Sequence, residues 1–189
     1  LKTPVSTVKV AIEALQVGGK IDNEKKVSEY LSIAALEINR LEQIINKVLD
    51  TSTLEGRKDL VQPEPLIIDE LIREVLHSFQ PRFAEKNASI SFEAGEMPLT
   101  INADKLHVQG VLINLLDNSL KYSSDKPEIR IDLLEDAKNT IIKVSDNGNG
   151  IPPQYLDKVF EKFFRVPSLN IHNVKGSGLG LSYAALVMQ

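Results

Sequence analysis

Apolar residues at Val5, Val8, Ile12 and Leu15 recur at spacings of three and four, and Gly18-Gly19 ends the run. The pattern predicts a first helix with a glycine stop, because glycine accepts the left-handed backbone that commonly closes a helix. After Asp22-Asn23 a second run, Val27, Leu31, Ala34, Ile38, Leu41, Ile45 and Val48, alternates four and three throughout. That is a heptad seam, not the drifting stripe of a helix lying on a large globule. An isolated hairpin of two such helices leaves one side of each seam open to water. A second copy closes it most economically, giving a homodimeric four-helix bundle; packing against the rest of the same chain is the other completion.

Composition shifts across residues 52–65, where Gly56, Pro63 and Pro65 interrupt a charged stretch and mark a linker between domains. The predicted organisation is a hairpin over 1–55, a connector over 56–65 and a second domain over 66–189. In that domain the pattern predicts a helix over 67–86 bent near Pro81, a strand over 89–93 and a short strand over 99–102. Asp104 then caps a long helix running to Tyr122. Two alternating strands, 128–134 and 140–145, form a hairpin around a polar turn. A helix over 153–164, an irregular stretch over 167–178 and a last helix from Leu179 complete the chain. Strands on one side and helices on the other make an α/β two-layer sandwich, and with the hairpin the fold class is α+β.

The 189 residues are 42% apolar and 25% charged, the composition of an ordinary globular protein of one or two domains. With 22 Lys and Arg against 26 Asp and Glu, the net charge of −4 argues against a protein built to grip nucleic acid or anionic lipid. The absence of cysteine excludes disulfide scaffolds, zinc ribbons and thiol catalysis. Apolar runs are short, as in Val111-Leu-Ile, far below the ~18 residues of a membrane span. Leu1-Lys-Thr-Pro has neither an initiator Met nor a signal-peptide layout, so the chain is expected to be a piece of something longer.

Five of the ten glycines fall in two clusters, Asp146-Asn-Gly-Asn-Gly and Gly176-Ser-Gly-Leu-Gly, which contribute Gly148 and Gly150, and Gly176, Gly178 and Gly180 around Leu179. The second cluster opens a helix, so its N–H groups and the positive helix end could receive phosphate oxygens; a lid or a plain tight turn would use the same residues. It matches neither a P-loop nor a dinucleotide fingerprint. Asp146 follows a strand and precedes two glycines, which suits a carboxylate on a pocket floor accepting from an exocyclic amine, or equally a hairpin turn. An EF-hand is excluded by spacing, since Ile151 stands where the turn glycine is required. On the long helix, Asn114, Asn118 and Lys121 fall within about 60° of one face. Neutral amide oxygens there suit a hard Mg²⁺ that keeps its water and nucleotide phosphates, Lys121 adds a charge for those phosphates, and Tyr122 could lie against a ribose or base. Read singly, each of these residues also fits a solvated helix surface.

Together the segments resemble the catalytic part of a sensor histidine kinase of two-component signalling. Asn114-Leu-Leu-Asp-Asn-Ser-Leu-Lys-Tyr-Ser matches the family's N box, Asp146-Asn-Gly-Asn-Gly-Ile-Pro its G1 box, Phe160-Glu-Lys-Phe-Phe-Arg its F box and Gly176-Ser-Gly-Leu-Gly-Leu-Ser its G2 box. The resemblance covers essentially the whole chain. It implies a dimerisation and phosphoacceptor hairpin followed by a Bergerat-fold domain for ATP and Mg²⁺, in which Asp146 reads the adenine amino group and Asn118 and Asn114 serve the metal. Lys121 and Tyr122 lie beside phosphate and nucleoside, and residues 165–178 form an ATP lid. The family's acceptor motif, His-Glu-x-x-Thr-Pro, aligns with Leu1-Lys-Thr-Pro so that the acceptor histidine is expected two positions before Leu1. This fragment would then lack autophosphorylation of its own. Thr3 matches the position that orients water for dephosphorylating the partner regulator, and Pro4 bends the helix or, with Thr3, simply starts it. His77, His107 and His172 do not match the acceptor motif and read as surface, helix and lid residues. Relatives usually continue past the last helix into further strand, so a C-terminal truncation is expected.

The partners implied are ATP, a response-regulator receiver domain and a second copy of the chain, with no nucleic acid. A membrane is reached only through upstream segments, so this part is expected to be the cytoplasmic portion of a receptor. Two rivals share the resemblance. ATPases related to DNA gyrase B subunits and heat-shock chaperones activate water with a Glu four residues before the metal-binding Asn, where this chain has Asn114, an amide without a basic lone pair. A dimeric scaffold with a degenerate ATP site is the other rival, and the four intact boxes argue against it.

Overall fold

The computed structural model describes residues 2–17, 24–56, 61–95, 97–123, 125–136, 138–167 and 176–188. The chain divides into two compact units, Leu1–Thr53 and Leu54–Gln189. The first is helical, with α1 over Lys2–Val17 and α2 from Glu24, which continues to Gly56. The predicted glycine stop and the Asp22-Asn23 start lie outside the described residues, between the two helices.

The inward side of α1 is centred on Pro4 and Ala11, with Val8 and Leu15 half-buried, so the predicted stripe is displaced: Val5 and Ile12 face outward. In α2 the heptad seam splits into two rows. Ala34 is buried and Val27 and Leu41 are half-buried, whereas Leu31, Ile38 and Ile45 are 55%, 53% and 52% exposed. The side chain of Val48 lies outside the described residues. The second row repeats every seven residues along one edge of the helix, an exposed apolar ridge among the described residues.

The second unit stacks helices on sheet. β1 (Glu64–Ile67) pairs antiparallel with β3 (Thr100–Ala103), and β4 (Glu128–Glu135) runs between a parallel β2 (Ser89–Glu93) and an antiparallel β5 (Thr140–Asp146). β4 alternates as a one-sided strand should: Ile129, Ile131 and Leu133 are buried, while Arg130 on the other face pairs with Glu93 and Asp132. Against the apolar face lie α3 (Ile68–Lys86), through Leu71, Ile72, Val75, Phe79 and Phe83, and α4 (Lys105–Tyr122), through Val108, Leu112, Leu116 and Leu120. Both stripes follow the helical period. Asn87 closes α3 in the left-handed conformation at φ 50°, and the Ala88 N–H reaches back to the Phe83 carbonyl at 2.9 Å.

α4 starts where expected. Asp104 accepts from the Leu106 and His107 N–H groups at 3.0 and 3.2 Å, and its second oxygen takes the Gln62 N–H at 3.0 Å, tying the chain entering β1 to the start of α4. Three predictions need correction. Residues 52–56 of the predicted linker are helix and Glu64 and Pro65 are strand; Pro65 is tolerated because β1 is paired on one side alone. The helix expected over 153–164 is instead two short 3₁₀ turns, Pro153–Tyr155 and Lys158–Phe160. Phe163 then takes φ 65° and donates its N–H to the Gly178 carbonyl at 2.9 Å, a tertiary bond that draws the chain out of any helical ladder. The last helix, α5 (Gly180–Val187), packs on α4. No helix among the described residues is long and apolar enough to cross a membrane.

Candidate functional site

α4 carries the site. Its last three turns hold Asn114, Asn118, Lys121 and Tyr122; the first glycine cluster is hydrogen-bonded to it, and the second touches it through Gly180. Asp146, the last residue of β5, is held from two sides: Ser119 Oγ donates to Oδ2 at 3.0 Å and the Gly148 N–H donates to Oδ1 at 2.9 Å. The next loop residue returns to the helix, the Asn149 N–H reaching the Tyr122 carbonyl at 3.1 Å. Asn147 stitches the same loop to the start of β4, accepting from the Glu128 N–H at 3.0 Å and donating to the Lys126 carbonyl at 3.1 Å. Asp146 therefore has a fixed carboxylate plane while its residue remains exposed, which leaves lone pairs for a donor from outside.

Gly148 is there for space. A Cβ would lie 2.7 Å from Asp146 Oδ1 and 2.8 Å from the Tyr122 carbonyl oxygen, both fixed by the bonds just described. Gly178 is required twice over, by its φ of 72° and by the Phe163 and Phe164 backbone 2.8 Å from where a Cβ would be. Gly150 turns at φ 66° in open space, and Gly176 also meets nothing. Leu179 is buried and leads into α5, whose first residue, Gly180, sits over the Asn114 amide, with Oδ1 3.3 Å from a notional Cβ.

The structure thus brings Asn114, Asp146, Gly148 and Gly180 onto or beside one helix, while Gly178 is bonded to Phe163 and Leu179, between Gly178 and Gly180 in sequence, is buried. Asn118 is half-buried one turn beyond Asn114. Lys121 is exposed and donates to Asp117 at 2.7 Å, and Asp117 also pairs with Arg82 of α3. Burial pushes the Asp117 carboxyl up, but hydrogen bonds and charge from Lys121 and Arg82 outweigh it and hold the group below its ordinary value. At Asp104 burial likewise raises the carboxyl, and the N–H donors of Gln62, His107 and Leu106 with the nearby His107 ring overcome it. Thr3 lies in α1, far along the chain, and its side chain is outside the described residues, as is His172. His77 is exposed on α3.

Sequence reading missed Ser119, Asn147 and Asp117. Asn147 stood beside Asp146 in an Asx-rich turn and Asp117 four residues before Lys121, signals that were available, whereas Ser119 and the Asp117–Arg82 pair depend on partners 27 and 35 positions away. Among the described residues no group of three or more His, Cys, Asp or Glu could cage a metal. Asn114 is buried beneath Gly180, whereas Asn118 is half-buried, and an amide oxygen there suits a Mg²⁺ that arrives with a nucleotide and keeps water and phosphate as most of its ligands.

Comparison with known proteins matches residues 1–57 to the His Kinase A (phospho-acceptor) domain and residues 103–189 to the histidine kinase-, DNA gyrase B- and HSP90-like ATPase family. The sensor protein RprX of Bacteroides fragilis is 31% identical over 190 residues, covering 100% of this chain and 37% of RprX. The solved Acinetobacter baumannii histidine kinase AdeS shares the fold, with a TM-score of 0.77 over 100% of this chain and 84% of its own at 21% identity. The histidine kinase ThkA, solved in complex with the response regulator protein TrrA, has a TM-score of 0.72 and 25% identity over 90% of this chain and 49% of ThkA. The chain spans little more than a third of the length of RprX. With a phosphoacceptor domain and an ATPase domain following one another along it, the chain belongs to the sensor histidine kinases of two-component signal transduction.

Proposed function

We propose that this chain is the catalytic core of a protein-histidine kinase, which binds Mg-ATP on α4, directs its γ-phosphoryl group to a histidine upstream of Leu1 and supplies it from there to an aspartate of a response-regulator receiver domain. The observation that carries the reading is that loop 146–150 is hydrogen-bonded to the end of α4 while Gly180, at the start of α5, packs against Asn114 of the same helix.

In this reading Asp146, oriented by Ser119 and Gly148, accepts from the adenine amino group. Tyr122 borders the nucleoside. Gly148, Gly150, Gly176, Gly178 and Gly180 let backbone approach the ligand, and the N–H groups at the start of α5 face phosphate oxygens, with no side-chain cap competing for them. Lys121 exchanges Asp117 for phosphate while Arg82 retains the aspartate. Asn118 and Asn114 would hold Mg²⁺, which when bound neutralises charge on the transferring phosphoryl group. The residue four before Asn118 is an amide, so it activates no water, and transfer to imidazole is favoured over hydrolysis. The outward row Leu31, Ile38 and Ile45 supports closure of the hairpin by a second copy. Thr3 is proposed to orient water during dephosphorylation of the regulator.

The test is a chain extended upstream through the acceptor histidine and given γ-labelled ATP. Labelling should occur, and Asp146→Asn or Asn118→Asp should reduce it to background. Retained labelling in either variant contradicts the assignments. Rapid multiple-turnover phosphate release by the 189-residue chain would favour the hydrolytic rival instead.

A further inference from the structure

α5 packs along α4, and two of its contacts bear on the site. At one, Gly180 sits over Asn114. At the other, Tyr183 lies across Gly110, where a Cβ would come within 3.0 Å of the Tyr183 hydroxyl and 3.2 Å of a ring carbon. The same hydroxyl is 3.0 Å from His107 Nδ1. Residues 107, 110 and 114 form one stripe on α4, and residues 180 and 183 form the facing stripe on α5. His107 is itself anchored: its N–H caps onto Asp104, and its Nε2 lies 4.0 Å from Asp104 Oδ2. The carboxylate favours a proton on Nε2, which assigns Nδ1 as the acceptor for the Tyr183 hydroxyl.

This polar contact has an unusual task. α5 is eight residues long, and within it only Ser182 and Ala184 are buried, both small, with no side-chain cap at its start. Small buried residues set orientation weakly, since they offer little shape against sliding or rotation. A directional hydrogen bond at Tyr183 fixes both, and the missing side chain at Gly110 lets the tyrosine ring close onto the helix.

We infer that His107 and Tyr183 form a clasp that sets the register of α5 on α4 and thereby positions the Gly178–Gly180 turn against Asn114. They are positioning residues, touching no substrate, and the inference rests on the nucleotide-binding reading of that turn. His107 lies seven residues, about two helical turns, from Asn114 on the same stripe, so loosening the contact changes the distance between the amide side and the backbone N–H side of the site.

The test titrates the 189-residue chain with a non-hydrolysable ATP analogue and Mg²⁺, with melting of the nucleotide-free chain followed in parallel. Tyr183→Phe keeps the ring and removes the hydroxyl; His107→Leu removes the acceptor; His107→Asn returns a polar atom near Nδ1. Tyr183→Phe and His107→Leu should each weaken analogue binding by roughly fivefold. The double variant should be no weaker than the worse single one, because both remove the same bond. His107→Asn should recover most of the loss, and nucleotide-free melting of Tyr183→Phe should stay within about 4 °C of the unaltered chain, because one half-buried hydrogen bond contributes little to global stability. Affinity unchanged within twofold in Tyr183→Phe overturns the inference, as does lowered melting with unchanged affinity, which marks a purely structural contact. Asp146→Asn separates the two layers: if it abolishes binding while the clasp variants bind normally, the clasp alone fails. If the unaltered chain binds no analogue, the site reading fails and the clasp with it.

Discussion

Single residues in this site are constrained by what a few atoms displace. At Gly178 a methyl group would meet the Phe163 and Phe164 backbone at 2.8 Å in a conformation side chains rarely adopt, whereas at Gly176 it would meet nothing. Gly178→Ala should therefore cost about 1–3 kcal/mol in thermal or urea unfolding and impair nucleotide binding, and Gly176→Ala should leave stability unchanged. Equal behaviour of the two would show that the backbone contact is not what holds the turn. Asp117 makes a second prediction. Its folded carboxyl is held below the ordinary 3.8, so the stabilisation it gives is complete above that value and is lost as pH falls through the depressed one. Asp117→Asn should cost about 1 kcal/mol at pH 7, a modest value for a partly solvated pair. The difference from the unaltered chain should shrink as unfolding is measured at progressively lower pH below the ordinary value. A difference constant with pH would remove the charge argument.

At the scale of elements, α4 is the spine on which the rest is assembled. Ser119 connects it to β5 and Tyr122 to the loop beyond, so Ser119→Ala should free the Asp146 carboxylate on one side and weaken nucleotide binding roughly fivefold, consistent with a hydrogen bond of about 1 kcal/mol. Wild-type affinity in that variant would mean that Gly148 alone orients the group. The elements legible in sequence were those with strong local signals. The Asp104 cap and the alternation of β4 and β5 located their elements to within a residue or so, because cap chemistry and one-sided burial are written in adjacent positions. Residues 153–164 carried helix-like spacing, yet the bond from Phe163 to Gly178, fifteen positions on, decides their path. β1 escaped notice for a similar reason: four residues containing a proline form a strand because β3, more than thirty positions away, pairs with them. The stripe of α1 was offset because its apolar residues serve two faces, and local periodicity does not say which face the hairpin itself covers.

For the whole molecule, two units with separate tasks are joined in one chain. In the proposed dimer the exposed ridge of α2 meets a second copy, and Leu31→Asp with Ile38→Asp should convert a dimer into a monomer in sedimentation while nucleotide affinity persists. A chain that is monomeric before substitution would leave that ridge to another partner. The four boxes marked the proposed nucleotide residues in sequence, whereas the Ser119–Asp146 bond and the His107–Tyr183 contact emerge only when the helix, the loops and α5 are brought together. The central claim is that these pieces hold one magnesium nucleotide on α4. It is tested most directly by calorimetric titration of the chain with a non-hydrolysable ATP analogue, with Mg²⁺ and with a chelator, beside Asp146→Asn. The account predicts saturable one-to-one binding that weakens at least tenfold without the metal and disappears in the variant. Equal binding by the unaltered chain and Asp146→Asn, or none by either, would contradict it.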